Sequence, residues 1–245
     1  MSEIKQVALI TGANKGIGFE TARQLGKLGI AVVLGSRNGS KGEAAAEKLR
    51  AEGIDVRPLK LDVTNAGDRA DAVKFLEQHF GKLDILVNNA GIASEGWTGN
   101  TTSNTSVETM QQIFDTNLFA PVALTQALLP LLRKSPAARI VNLSSIMGSL
   151  ALHNNPKSPI YNMKPFAYDA SKTALNAFTI HLAHELRDTT IKVNSAHPGW
   201  VKTDMGTDAA PMDIVAGATT SVALATLPSD GPTGAFIHMD KPLPW

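Results

Sequence analysis

The sequence predicts one doubly wound α/β domain over residues 1–245, a parallel sheet of about seven strands with helices on both faces. Three observations predict it. Short runs rich in Val, Ile and Leu alternate with longer helical patterns along the chain, and such alternation means parallel strands joined by right-handed crossovers. The first strand runs into a glycine-rich turn that opens a helix. No linker, repeat or compositional break divides the 245 residues, enough for one large core.

The elements follow in order. A strand over 6–10 (Gln6-Val7-Ala8-Leu9-Ile10) leads through Thr11-Gly12-Ala13-Asn14-Lys15-Gly16-Ile17-Gly18 into a helix over 17–28. Glycines there let a backbone approach an anion, and the helix N-terminus faces it with free N–H groups and the positive end of its dipole. The turn reads as a pyrophosphate site through Gly12, Asn14, Lys15, Gly16, Ile17 and Gly18. It matches neither Gly-x-Gly-x-x-Gly nor a Walker loop. Strands over 30–35 and 55–60 alternate with helices over 40–52 and 66–80. The strand over 84–88 ends in Asn88-Asn89-Ala90-Gly91, whose small residues let a ligand lie across the sheet edge. The polar stretch 98–104 reads as a loop, and Thr105 with Glu108 as a capping box that starts one long helix over 107–133. The strand over 138–143 ends at Ser144-Ser145. A helix over 166–187, a strand over 191–196, a helix over 211–226 and a strand over 234–238 complete the chain.

Tyr168 and Lys172 stand four residues apart, on one face of a helix. A phenol ionises near pH 10 and is a poor acid–base catalyst at neutral pH; an adjacent ammonium favours the phenolate and lowers that value. The pair is a catalytic candidate, although Tyr-x-x-x-Lys alone also arises by chance in many helices. Tyr161 is a decoy, since Pro165 and not a lysine lies four residues on.

With Thr11-Gly12-x-x-x-Gly16-x-Gly18, Asp62-Val63, Asn88-Asn89-Ala90-Gly91, Asn117, Ser144-Ser145, Tyr168-x-x-x-Lys172 and Pro198-Gly199 in this order, the chain resembles the short-chain dehydrogenase/reductase family. Asn14-Lys15-Gly16-Ile17-Gly18, Ser144-Ser145-Ile146-Met147 and the run from Pro198 to Met205 are most similar to its NADPH-dependent carbonyl reductase branch. The resemblance implies a Rossmann-type fold and hydride transfer from NADPH to an aldehyde, ketone or quinone. It implies catalysis by Asn117, Ser145, Tyr168 and Lys172. Tyr168 is the general acid/base, Ser145 donates to the substrate oxygen, and Asn117 holds a water that links Lys172 to solvent. Cofactor contacts are implied for Asp62, Val63, Asn88, Ala90, Gly91, Pro198, Gly199, Val201 and Thr203, besides Tyr168 and Lys172.

The choice of nicotinamide rests on the end of the second strand. An NAD enzyme places an acid there to bind the ribose 2′-hydroxyl. This chain has Ser36-Arg37, and Arg37 can fork onto a 2′-phosphate while Lys15 adds a second cation. Each cation taken alone also fits a solvated surface residue; together they favour NADPH. Met147, His153, Tyr161, Trp200 and Met205 are candidates for the substrate pocket.

From Ser145 to Tyr168 there are 23 positions, more than in compact family members, so an insertion over about 152–165 is expected before the catalytic helix. It is expected to cover the surface through which the family pairs subunits. The face of that helix bearing Asp169, Thr173, Asn176, Ile180, His184 and Arg187 is mostly polar. The chain thus reads as a monomer rather than a homodimer or homotetramer.

Composition excludes other classes. A net charge of +1 argues against a nucleic-acid partner, and zero cysteines exclude thiolate catalysis and disulfides. His181 and His184 lack a third ligand, so no metal is expected. No apolar run reaches membrane-spanning length and the start enters a strand directly, so a cytoplasmic protein is expected. The rival reading is a catalytically silent nucleotide-binding regulator of the same fold.

Overall fold

The computed structural model describes residues 6–93 and 101–245. The loop expected over 98–104 therefore lies partly outside the described residues.

Eight strands form one sheet: β1 (Val7–Ile10), β2 (Ala31–Ser36), β3 (Val56–Lys60), β4 (Ile85–Asn88), β5 (Arg139–Leu143), β6 (Lys192–Ala196), β7 (Phe236–His238) and β8 (Lys241–Pro242). Their order is β3-β2-β1-β4-β5-β6-β7-β8. Every pairing is parallel except β7 with β8. The eighth strand was not expected. It is two residues long and pairs Ile237 with Pro242 in a terminal hairpin, too short to give a periodic signal.

Alternation along β1 explains the two cores. Successive side chains of a strand point to opposite faces. Val7 and Leu9 join Val33, Leu86, Leu124, Leu128 and Leu182 on one face, and Ala8 and Ile10 join Val32, Leu34, Leu25, Leu49 and Leu224 on the other. The helices are α1 (Gly16–Lys27), α2 (Gly39–Ala51), α3 (Ala66–Phe80), α4 (Val107–Phe114), α5 (Ala120–Leu132), α6 (Leu150–His153), α7 (Phe166–Glu185) and α8 (Ile214–Ala225), of which α1, α2, α5, α7 and α8 supply the helical residues just named.

Local chemistry sets the helix ends. The side chains of Asn38, Asn65 and Asp213 accept from the N–H groups of Lys41, Asp68 and Ala216 at the starts of α2, α3 and α8. Gly81, at φ 69°, closes α3 in the left-handed region. The expected box of Thr105 and Glu108 is displaced by one residue: Ser106 caps α4 and accepts from Thr109 N–H at 3.1 Å. Thr105 instead donates to the Thr101 carbonyl at 3.0 Å.

The single helix expected over 107–133 is interrupted. Between α4 and α5 lies a π turn over Asp115–Phe119, in which the Ala120 N–H reaches the Asp115 carbonyl. Pro121 carries no N–H, so the Asn117 carbonyl has no helical donor four residues on. Pro121 is the sequence signal for this break.

Candidate active site

The order reversal between β1 and β4 opens a crevice at the C-terminal ends of the strands, where doubly wound sheets bind ligands. A cavity of about 1110 Å³ fills it. On one side stands the turn between β1 and α1. Gly12 and Gly16 have φ of 64° and 59°. A Cβ on Gly12 would come within 3.1 Å of the Ala90 backbone, and one on Gly18 within 2.4 Å of Asn89 Nδ2. Glycine is required at both, the first by conformation and space, the second by space alone. The α1 N-terminus has no side-chain cap and no acid in its first turn. Its backbone N–H groups remain available to an anion. Such a cradle fits a phosphate ester.

Asn14, Lys15, Ile17, Arg37, Asp62, Val63, Ala90, Gly91, Tyr168, Lys172, Pro198, Thr203 and Met205 line the cavity with these glycines. Ser36, Asn88, Asn117, Ser145, Met147, His153, Tyr161, Gly199, Trp200 and Val201 are not in its lining. Several are turned away for visible reasons. Ser36 is buried and donates to the Asn38 carbonyl at 2.9 Å. Asn88 points into the core, donating to Thr125 Oγ1 and Asn142 Oδ1. Its neighbour Asn89 lines the cavity and ties the carbonyls of Thr11 and Gly12. Asn89, not Asn88, thus organises the glycine turn through its side chain. Asp62 accepts from Thr64 N–H and Oγ1 in a local turn, while Asn65 caps the helix.

Of the five substrate candidates only Met205 lines the cavity. Met147 packs against Tyr168 in a small apolar cluster with Ile160, which Met205 also touches. His153 faces Asp169 of α7 at 3.1 Å. Tyr161 lies beneath the Lys164 ammonium, 5.2 Å from its ring centroid. Trp200 is 56% exposed and donates to the Gly206 carbonyl at 2.7 Å.

Tyr168, Ser145, Lys172 and Asn117 converge. Ser145 follows β5 and its hydroxyl shares a hydrogen bond with the Tyr168 phenol; it also accepts from Met147 N–H at 3.2 Å. The adjacent Ser144 Oγ is buried without a hydrogen-bond partner, in a residue that lines the cavity. Lys172 donates to the Leu143 carbonyl at 2.8 Å. Fully buried Asn117 accepts from Ile92 N–H and donates to the Ile92 carbonyl and Ser171 Oγ. It thereby fastens the π turn to the segment after β4 and to α7.

The electrostatics correct one expectation. Lys172 was expected to lower the phenol pKa of Tyr168. Burial instead pushes it up to about 12, outweighing the Ser145 hydrogen bond, and the charge of Asp169 adds to the rise. Burial also lowers Lys172 to about 8. The reason is geometric: the ammonium stands over the ring, 5.6 Å from its centroid, and is held by Leu143. Desolvation penalises both charged forms.

Sequence reasoning missed three residues. Asn89 was not among the expected cofactor contacts, although it lines the cavity. Lys202 adds a further cation to the lining besides Lys15, Arg37 and Lys172, and it stands in a run already noticed. Asp204 pairs with Lys15 across the cavity mouth.

The family model for short chain dehydrogenases matches residues 6–213. The chain belongs to this family. Its relatives include (-)-isopiperitenone reductase of Mentha piperita, 34% identical with 99% of both chains covered. Carbonyl reductase (NADPH) 1 of Mus musculus is also 34% identical, with 100% of both covered. Among solved structures, NADPH-bound carbonyl reductase from chicken fatty liver superposes with a TM-score of 0.84 at 28% identity, covering 99% of this chain and 100% of that one. As a short-chain dehydrogenase the chain carries its tyrosine and lysine on α7, beside the crevice that the sheet order creates. Among the described residues no helix is long and apolar enough to cross a membrane, and no group of three or more His, Asp or Glu could hold a metal ion.

Proposed function

We propose that this protein is an NADPH-dependent carbonyl reductase acting on an aldehyde, ketone or quinone. The observation that carries the reading is the Tyr168 phenol, hydrogen-bonded to Ser145 and facing the same cavity as the glycine cradle. Relatives named carbonyl reductase (NADPH) and neomenthol dehydrogenase, aligned over nearly the whole chain, support it.

The residues present suit the cofactor. The glycine turn and uncapped α1 would hold its pyrophosphate, Arg37 with Lys15 its 2′-phosphate, and Lys172 its nicotinamide ribose. NADPH supplies the hydride. The chain's own task is the substrate oxygen. Ser145 and Tyr168 donate hydrogen bonds to it, and Tyr168 delivers a proton as negative charge grows there. A phenol held near 12 is fully protonated at neutral pH, the form this step requires. The carbonyl of Asn117, freed by Pro121, would accept from a water that restores the proton by way of Lys172.

The test is oxidation of NADPH with a panel of aldehydes, ketones and quinones, followed by loss of reduced-nicotinamide absorbance. Turnover of at least one class is expected. Tight NADPH binding with no turnover of any carbonyl would favour the silent regulator.

A further inference from the structure

His197 connects the two sides of this site. It directly follows β6 and is buried. Its Nδ1 faces two backbone donors, Ile146 N–H at 3.2 Å and Gly199 N–H at 3.4 Å. The first lies immediately after Ser145; the second belongs to the turn with Pro198. Two N–H groups aimed at one ring nitrogen require that nitrogen to be an unprotonated acceptor, which fixes the proton on Nε2. The residue's own backbone is pinned as well: its N–H donates to the Ile237 carbonyl at 2.8 Å, and its carbonyl accepts from His238 Nδ1 at 2.9 Å. The His238 ring lies 4.7 Å away, tilted by 43°.

The bond to Ile146 orients the peptide that follows Ser145, and so the direction of the Ser145 side chain. The bond to Gly199 holds a turn whose φ is 90°. A Cβ there would strike Met212 Sδ at 2.3 Å. We propose that His197 is a positioning residue: by accepting from Ile146 and Gly199 at once, it keeps the Ser145 hydroxyl in register with the Pro198–Gly199 turn. The proposal deepens the carbonyl reductase reading and rests on it.

Protonation of Nδ1 would replace an acceptor by a third donor facing two donors. Burial, helped by the adjacent His238, holds the imidazole down at about 3, so it stays neutral through the physiological range. His238 is the titratable group acting on it.

Two variants of similar size separate the role from simple packing. His197→Asn can place an oxygen near the position of Nδ1; His197→Leu fills space and accepts nothing. The Asn variant should retain kcat within about threefold of the parent. The Leu variant should lose tenfold or more in kcat, with KM for NADPH changed far less. Amide hydrogen exchange at Ile146 and Gly199 is the readout that needs no turnover: protection should persist in the Asn variant and fall at both amides in the Leu variant. Equal protection in all three proteins, or an Asn variant as damaged as the Leu variant by both measures, overturns the proposal. If the Leu variant does not fold, Asn against parent still decides it. A parent that turns over no carbonyl sinks the function reading alone, because the exchange experiment still tests the two hydrogen bonds.

Discussion

The Tyr168 hydroxyl is the proposed proton donor, and its removal is the sharpest test at the scale of one residue. Tyr168→Phe deletes one oxygen from a ring already buried among Met147 and Ile160. The fold and NADPH affinity should survive, and turnover should fall by about 10²–10⁴-fold, the range of a positioned general acid. Steady-state kinetics against a cofactor titration checks both halves. Lys172 gives a pH prediction. Its folded pKa, about 8, lies below the ordinary 10.5. Between those values the unfolded chain binds more protons, so stability rises as pH climbs from about 8 to 10.5. Below 8 the buried charge carries its full penalty, on the order of 3 kcal/mol at 1.36 kcal/mol per unit. Tyr168 has the opposite sign: its contribution is present below 10 and is lost as pH rises toward 12. Lys172→Met should therefore be more stable than the parent below about pH 8, with the gain fading toward 10.5. Urea midpoints across that range would show it. Carbonyl reduction by the parent should decline above about pH 8 as the lysine loses its charge.

At the scale of elements, the turn between β1 and α1 and the end of β2 decide cofactor binding. Gly12→Ala meets both a left-handed φ of 64° and a backbone contact at 3.1 Å. The conformational term alone costs about 1–2 kcal/mol. The turn must move, and NADPH affinity measured by calorimetry should fall at least tenfold. At the end of β2 the residue to test is Arg37. Ser36 is buried against Gly42 and bonded to the Asn38 carbonyl, so an acid there would be strained as well as charged. Arg37 is exposed and lines the cavity. Arg37→Ala should weaken NADPH by roughly tenfold, the equivalent of one charge-assisted hydrogen bond, while leaving NADH nearly unchanged. Equal losses for both cofactors would remove the 2′-phosphate role.

For the whole molecule the open question is assembly. The face of α7 expected to be mostly polar is partly covered. Asp169 and Asn176 are buried, the first beside His153 at the end of α6, the second against Gly148. Farther along the helix Ala177, Ile180, His181 and His184 are exposed. Coverage of the first turns by the segment from Gly148 to His153, with two histidines among the exposed residues beyond, favours a monomer. Light scattering on a sizing column should return a mass near 25.9 kDa; a mass near four subunits at micromolar concentration would show that the covered turns leave enough surface for a bundle.

What the sequence alone determined is what local chemistry encodes. Seven strands, the glycine turn and the Tyr-x-x-x-Lys helix are legible because apolar runs of strand length, glycine at special φ and side chains one helical turn apart are all short-range patterns. The π turn was legible in principle, since Pro121 removes one helical donor, but a continuous apolar pattern masked it. Tertiary structure alone decided the rest. Asn88 and Asn89 are adjacent and chemically identical; the first ends β4 with its side chain in the core, and the second, just past the strand end, turns to the cavity. Lys172 is four residues from Tyr168, yet whether its charge or the burial of both groups prevails depends on what packs over them. His197 meets Ile146 only because β5 and β6 pair side by side, 51 residues apart in the chain.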